Sequence, residues 1–137
     1  MDDKTPVIKK IICAVDCGIV INPKGAINQI EGGIIDGIGH AMYGDTVFEN
    51  GQPQLSNFHK YRMIKMAEAP EIDVHFVQSK NDPTGLGEPT LPPAGGAIAN
   101  AIHAVSGTRL YSQPFVKEME VWAKGCVLEI PSKFLSG

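Results

Sequence analysis

Cysteine and aromatic residues are scarce in this sequence, with three cysteines, one tryptophan and an aromatic share of 7% in 137 residues. Three cysteines are too few for a disulfide framework, and their odd number leaves at least one thiol unpaired. Cys13 and Cys17 fall in one predicted strand, where four residues span roughly 13 Å, whereas a disulfide needs Cα atoms within about 7 Å. We therefore interpret the cysteines as buried packing thiols.

Long apolar runs, a strong net charge and metal-ligand spacing are also absent. Stretches such as Ile11–Val15 are far shorter than the roughly 20 apolar residues that cross a bilayer. A formal net charge of -3 gives no general attraction to nucleic acid, which requires a basic surface. The histidines show no ligand spacing with one another or with the cysteines. We predict no nucleic-acid partner, no membrane segment in this chain and no metal ligands.

Two helices are predicted from apolar spacing and from their end signals. The first runs from Lys24 to about Tyr43, because isoleucines recur at helical spacing after Asn22, a favourable N-cap. The second runs from Pro93 to Val105 and ends before Gly107, since glycine commonly follows the last turn of a helix. Residues 116–124 have a weaker pattern that fits either a short helix or a strand.

Strand signals complete a prediction of one α+β domain. Val7–Val15 and Ile72–Gln78 have the composition or alternation of strands. Asn50-Gly51 lies between Thr46–Phe48 and Gln52–Leu55 and predicts a hairpin. We expect two principal helices packed on a small mixed or antiparallel sheet.

The first predicted helix carries glycines on the face opposite its isoleucines. Each glycine costs about 1 kcal/mol relative to alanine inside a helix, so Gly32, Gly33 and Gly37 need a structural reason. Close approach to the backbone is the usual reason. The approaching group is either a second helix packed on the small residues or a ligand that Gln29 or Asp36 reaches, and the spacing fits both.

A second unusual stretch is Gly85-Leu86-Gly87-Glu88-Pro89, followed shortly by Pro92-Pro93. Glycines allow the chain to bend close to a partner, whereas prolines fix the backbone that follows. Such a loop can direct one carboxylate towards a cavity. The alternative is a solvated glutamate in a surface turn, and this loop alone would not indicate an enzyme.

Several blocks, taken together in order and spacing, resemble one protein family over roughly residues 7–115. The chain is similar to the large, molybdopterin-binding subunit of the xanthine dehydrogenase and aldehyde oxidase family, and most similar to the isoquinoline 1-oxidoreductase beta-subunit branch. The resemblance is carried by AVDCG (14–18), INP (21–23), NQIEGG (28–33), GIG (37–39), NFHKY (57–61), GLGEP (85–89) and AIANAI (97–102).

The resemblance implies roles for particular residues. In this family the glutamate of the Gly-x-Gly-Glu-Pro loop is the catalytic base beside the molybdenum, which maps to Glu88. The glutamine of the Gln-x-Glu-Gly block contacts the pterin cofactor, which maps to Gln29. Gly32 and Gly33 on the helix and Gly87 on the loop are then expected to lie against the cofactor.

The resemblance also implies what else the enzyme needs. Residues 1–137 would be a C-terminal fragment of a molybdopterin-binding domain, since the family's subunit is several times longer. The complete enzyme would carry molybdopterin, with or without an attached nucleotide, and would oxidise an N-heterocycle or an aldehyde with oxygen derived from water. Its partners would be the remainder of the molybdenum subunit and an iron–sulfur subunit or domain. We expect this chain alone to bind no cofactor and to be inactive.

Two observations limit the resemblance. Relatives often have Asn-Phe-His-Asp-Tyr-Pro where this chain has Lys60 and Arg62, so the shape of that loop does not transfer. The chain also fits a non-catalytic module of the same fold, either a remnant or a unit that packs a partner on the glycine face of the first helix.

Overall fold

Two long helices, a pair of parallel strands and a short hairpin are the main elements of residues 6–119, the part of the chain that this computed structural model describes. Two short 3-10 turns, Phe58–Lys60 and Met66–Glu68, lie between the hairpin and the last strand. Residues 115–119 are helical. In chain order the elements are β1 (Lys10–Val15), α1 (Pro23–Met42), β2 (Phe48–Glu49), β3 (Gln52–Pro53), β4 (Glu71–Phe76) and α2 (Leu91–Ser106).

Both predicted helices are confirmed: α1 agrees within one residue at each end, and α2 starts two residues earlier than predicted. The side chain of Asn22 accepts a hydrogen bond from the backbone N–H of Gly25 at 3.1 Å and so caps α1. At the end of α2, Gly107 has a φ of +74° and its N–H donates to the carbonyl of His103. That left-handed conformation is the one in which glycine closes a helix without strain.

The predicted strands and hairpin are confirmed with shorter bounds. β1 pairs with β4 in parallel, from Lys10 opposite Glu71 to Val15 opposite Phe76. β2 and β3 pair antiparallel around Asn50 and Gly51, whose φ angles are +50° and +78°. The α+β class is therefore confirmed. The principal pair is parallel because α1 lies on the crossover between its strands.

The core lies between the two helices and the inner face of the strand pair. The isoleucine face of α1 is buried as its spacing predicted, and it meets buried isoleucines of α2. Side chains of β1 and β4 that point inward are half-buried against this cluster. The buried core includes Ile30, Ile34, Ile38, Ala41, Met42, Ile98, Ile102, Leu110 and Phe115.

Small residues bring α1 and α2 together. A Cβ added at Gly37 would lie 2.7 Å from the Cβ of Ala94 and 2.9 Å from the carbonyl oxygen of Leu91. A Cβ added at Gly33 would overlap the hydroxyl of Thr90. Of the two explanations for the glycine face, helix packing accounts for Gly33 and Gly37. The glycine face of α1, on which a non-catalytic module was expected to pack a partner, is therefore partly covered by α2 of the same chain.

The cysteines in the described residues are free thiols, and Cys126 lies outside the described residues. Cys17 is buried and Cys13 is half-buried on the inner face of β1. Burial raises the pKa of the Cys13 thiol, which reduces its thiolate fraction and reactivity. Both observations agree with packing rather than redox chemistry for these two residues.

Candidate functional site

A cleft of about 240 Å³ opens where the chain passes from β1 into α1. Three segments of the chain line it. One is the connection after β1, one is the first two turns of α1, and one is the loop that leads towards Glu88. The lining includes Cys17, Ile19, Ile21, Gln29, Pro83 and Leu86.

Backbone contacts join the two loops that form this cleft. The N–H of Ile19 donates to the carbonyl of Asn81 at 3.2 Å, and the N–H of Thr84 donates to the carbonyl of Cys17 at 3.0 Å. Gly18 between them has a φ of +72°, and an added Cβ would lie 2.6 Å from the carbonyl oxygen of Asn81. Only glycine fits this conformation and this approach without strain. Gly18 is a positioning residue that our sequence analysis missed, although it lies within the recognised AVDCG block.

Thr90 fastens the other end of the loop to α1. Thr90 is polar but buried, with 6% of its surface exposed. Its hydroxyl donates to the backbone carbonyl of Ile30 at 3.2 Å. This bond explains why Thr90, the residue before α2, makes no side-chain cap of its own helix. Thr90 was not singled out from the sequence, because its partner is 60 positions away.

Glu88 lies between these two points of attachment. Leu86 lines the cleft two residues before it, and Thr90 contacts α1 two residues after it. Two residues of extended chain reach at most about 7 Å, so Glu88 is held near the cleft and near α1. Its side chain is exposed, and within residues 6–119 its carboxylate has no hydrogen-bond or ion-pair partner. A carboxylate without such a partner, two residues along the loop from the lining residue Leu86, is available to accept a proton.

The residues that the sequence nominated as cofactor contacts differ in their surroundings. Gln29 is exposed and lines the cleft together with Leu86. Gly32 and Gly87 are exposed, and an added Cβ at either would meet no atom within 4 Å. Gly33 instead packs on Thr90. The fold thus brings Gln29 to the loop that carries Gly87 and Glu88, and it leaves open space beside Gly32.

The described part of the chain holds neither a metal-ion cluster nor a membrane-spanning helix. No group of three or more histidine, cysteine or acidic side chains in residues 6–119 is arranged to hold a metal ion. None of the described helices is long and apolar enough to cross a membrane.

The chain matches one protein family and is similar in sequence to several known proteins. Residues 3–70 match the molybdopterin cofactor-binding domain family, and this range includes Gln29, Gly32 and Gly33. The chain is 37% identical over 116 residues to a protein of Gluconacetobacter polyoxogenes named membrane-bound aldehyde dehydrogenase [pyrroloquinoline-quinone]. It is also 37% identical over 112 residues to isoquinoline 1-oxidoreductase subunit beta of Brevundimonas diminuta. These matches cover 83% and 82% of the chain but only 15% and 14% of the relatives.

Solved structures share the fold at lower identity. Quinoline 2-oxidoreductase from Pseudomonas putida 86 matches with a TM-score of 0.74 and 22% identity, over 83% of this chain and 16% of that one. Reconstituted CO dehydrogenase from Oligotropha carboxidovorans matches with a TM-score of 0.66 and 18% identity, over 84% of this chain and 16% of that one. At these identities the matches establish the fold and nothing finer.

Proposed function

Because the chain belongs to the molybdopterin cofactor-binding family of the xanthine dehydrogenase and aldehyde oxidase type, we propose that it forms one wall of the active site of a molybdenum hydroxylase. In this proposal residues 1–137 are a C-terminal fragment of the molybdopterin-binding domain. The remainder of the molybdenum subunit supplies the other walls, and an iron–sulfur subunit or domain accepts the electrons.

One observation carries this proposal. Gln29 on α1 and Leu86 on the glycine-rich loop line the same cleft, and Glu88 follows two residues later. These residues are more than 50 positions apart in the sequence, so their meeting is a property of the fold. The amide of Gln29 lies in this cleft, and the carboxylate of Glu88, which has no partner within residues 6–119, follows close by along the loop.

The residues present fit part of a pterin site and are too few for a whole one. Ligand pockets commonly enclose about 300–1,000 Å³, whereas this cleft measures about 240 Å³ and is open on one side. The amide of Gln29 can donate and accept hydrogen bonds, as a pterin edge requires. The open space beside Gly32 and Gly87 lets a flat ligand approach the backbone.

The chemistry of the proposal divides between the cofactor and the chain. The cofactor would supply a molybdenum ion that activates water and takes up the substrate's electrons. Gln29 would orient the cofactor through its amide. Glu88 would accept a proton at a carboxylate oxygen. Ile19, Ile21 and Leu86 would keep water from the reacting groups once the remaining walls are in place.

The names of the relatives suggest a class of substrate and not a particular compound. One relative is named for isoquinoline and another is named an aldehyde dehydrogenase. Both names suggest an electron-poor carbon, in an N-heterocycle or an aldehyde, as the position that is oxidised. The residues that choose between them would lie in the part of the subunit that this chain does not contain.

Glu88→Gln tests the proposed base directly. In the assembled enzyme we expect turnover to fall by at least about 10²-fold, because positioned proton transfer contributes about 10²–10⁴-fold to rate. Molybdenum content should stay at the wild-type level, since the substitution keeps the shape of the side chain. Steady-state rates and metal analysis on the same preparations give both values.

Two matched variants make that result specific. Glu49→Gln removes an exposed carboxylate in the hairpin and should leave both turnover and metal content unchanged. Gln29→Ala should lower cofactor content, because it removes the proposed cofactor contact. Wild-type turnover in Glu88→Gln would refute the assignment of the base while leaving the family membership intact.

A further inference from the structure

A second and larger cleft, of about 530 Å³, lies at the opposite end of α1. Met42 and Tyr43 at the end of that helix line it, together with residues of the segments around 60 and 116. At 1.5 Å per residue, the thirteen residues from Gln29 to Met42 span roughly 20 Å. This cleft is therefore separate from the proposed cofactor site, and it has no part in the proposed hydroxylase chemistry.

Charged side chains at its edge are held in fixed positions. The guanidinium of Arg62 lies over the ring of Tyr43, 4.0 Å from its centroid, and also donates to the carboxylate of Glu68. Lys117 pairs with Asp45 at 2.9 Å. Asp45 and Glu68, the carboxylates among the described lining residues, are thus already engaged by cations of the chain.

Lys60 is the third cation among the described residues that line this cleft. Its ammonium donates to the hydroxyl of Ser56 at 3.1 Å, and it has no carboxylate partner among residues 6–119. The 3-10 turn that carries it is closed by two backbone hydrogen bonds, from the N–H of Lys60 to the carbonyl of Asn57 at 3.0 Å and from the N–H of Tyr61 to the carbonyl of Phe58 at 3.2 Å. Among the described lining residues there are three cations and two anions, which leaves Lys60 as the positive charge without an anionic partner there.

Apolar groups form the rest of the lining, including Met42, Leu55 and Val116. A positive charge beside an apolar wall complements a ligand with one negative charge and an apolar body. We propose that this cleft binds a small monoanionic organic acid, with the carboxylate at Lys60 and the apolar body against Met42 and Leu55. A dianion would lack a second cation, and a cation would meet repulsion from Lys60.

Benzoate is a suitable probe, because it combines one carboxylate with a compact apolar ring. Equilibrium dialysis of radiolabelled benzoate against the full chain, purified with any protein that it binds, should show saturable binding with a dissociation constant on the order of 1 mM. Benzyl alcohol and benzylammonium, which keep the ring and change the charge, should bind at least about ten-fold more weakly.

Lys60 variants test the assignment of the charge. Lys60→Gln should weaken benzoate binding by at least about five-fold, because it removes the uncompensated charge, whereas Lys60→Arg should retain it. Lys9→Gln removes an exposed lysine outside the cleft and should leave the affinity unchanged. Circular dichroism should show the same fold in all three variants, since both lysines are exposed.

Three outcomes would overturn the proposal. They are equal binding of benzoate and benzyl alcohol, unchanged benzoate binding in Lys60→Gln, and no saturable binding at millimolar benzoate. Because Lys60 and Glu88 lie in different clefts, a failure here would leave the proposed active-site role untouched. Likewise, wild-type turnover in Glu88→Gln would not affect the binding of benzoate.

Discussion

The carboxylates of Glu88 and Glu68, one near each cleft, differ in whether they have a hydrogen-bond or ion-pair partner. Glu88, two residues from the lining of the first cleft, has a carboxylate without a partner among the described residues, which leaves it available to accept a proton. Glu68 at the second cleft is the opposite case. It accepts hydrogen bonds from the guanidinium of Arg62 and from the backbone N–H of Lys65. A carboxylate in that state serves to hold the segment that carries Arg62.

The contacts of Glu68 predict a dependence of stability on pH. The hydrogen bond from Arg62, and then that from the Lys65 backbone, lower the pKa of Glu68 below its ordinary value of 4.5. A carboxyl whose pKa is lower in the folded state stabilises the fold fully above its unfolded-state pKa. That contribution is lost as the pH falls through the lower, folded-state value. We expect Glu68→Gln to melt at a lower temperature than the wild type at pH 7.

The difference between Glu68→Gln and the wild type should shrink as the pH falls below 4.5, where the wild-type carboxyl becomes protonated as well. Thermal melts at several pH values measure this difference. Glu49→Gln, at an exposed hairpin position, should melt like the wild type throughout. A melting difference that stays constant down to the most acid pH would contradict the role given to Glu68.

At the scale of elements, regular structure was predictable because its signals are local. The isoleucine spacing of α1, the cap at Asn22 and the Asn50-Gly51 turn each act within a few residues. The parallel direction of β1 and β4 was not predictable, since it depends on a pairing across about 60 residues. The partners of Gly18 and Thr90 were missed for the same reason.

The contacts of the glycine face of α1 were also not predictable from local sequence. Its spacing fitted both a packed helix and a bound ligand, and only the fold distinguished the positions. Gly37 meets α2, whereas Gly32 faces open space. From the sequence alone, no local signal separates two glycines that are five residues apart on one helix.

This difference between Gly37 and Gly32 predicts opposite effects of the same substitution. Gly37→Ala should lower the free energy of unfolding by about 1–3 kcal/mol, because the new Cβ overpacks the contact with Ala94 and Leu91. Gly32→Ala should raise it by about 0.5–1 kcal/mol, because alanine favours the helix and nothing obstructs its methyl group. Urea unfolding followed by circular dichroism measures both. Changes of the same sign in the two variants would refute this account of the helix contact.

At the scale of the whole molecule, several surfaces are those of a part rather than of a complete unit. Within residues 6–119 the β1–β4 pair has no further strand on either edge, although parallel sheets usually extend further and are covered on both faces. Large apolar side chains are exposed, among them Phe58 at 96%, Met66 at 90% and Ile21 at 82%. Exposed apolar side chains of this size are available to pack against other protein. They support the proposal that the rest of a molybdenum subunit covers them.

The relatives agree with that proposal in extent, since the chain spans about 15% of their length. The matched family and one of the relatives differ in the cofactor that their names indicate. The family that residues 3–70 match is named for molybdopterin, whereas the name of one relative indicates pyrroloquinoline quinone. The identity of the bound cofactor is therefore the central question for this chain.

Metal and cofactor analysis of the native assembly answers that question most directly. The protein would be isolated gently from its own cells by affinity to this chain, together with everything that co-purifies, and molybdenum, pterin and quinone would be measured per copy. The account predicts near-stoichiometric molybdenum and pterin, held together with the remaining part of a molybdenum subunit. A preparation that contains neither molybdenum nor pterin, with or without quinone, would contradict it.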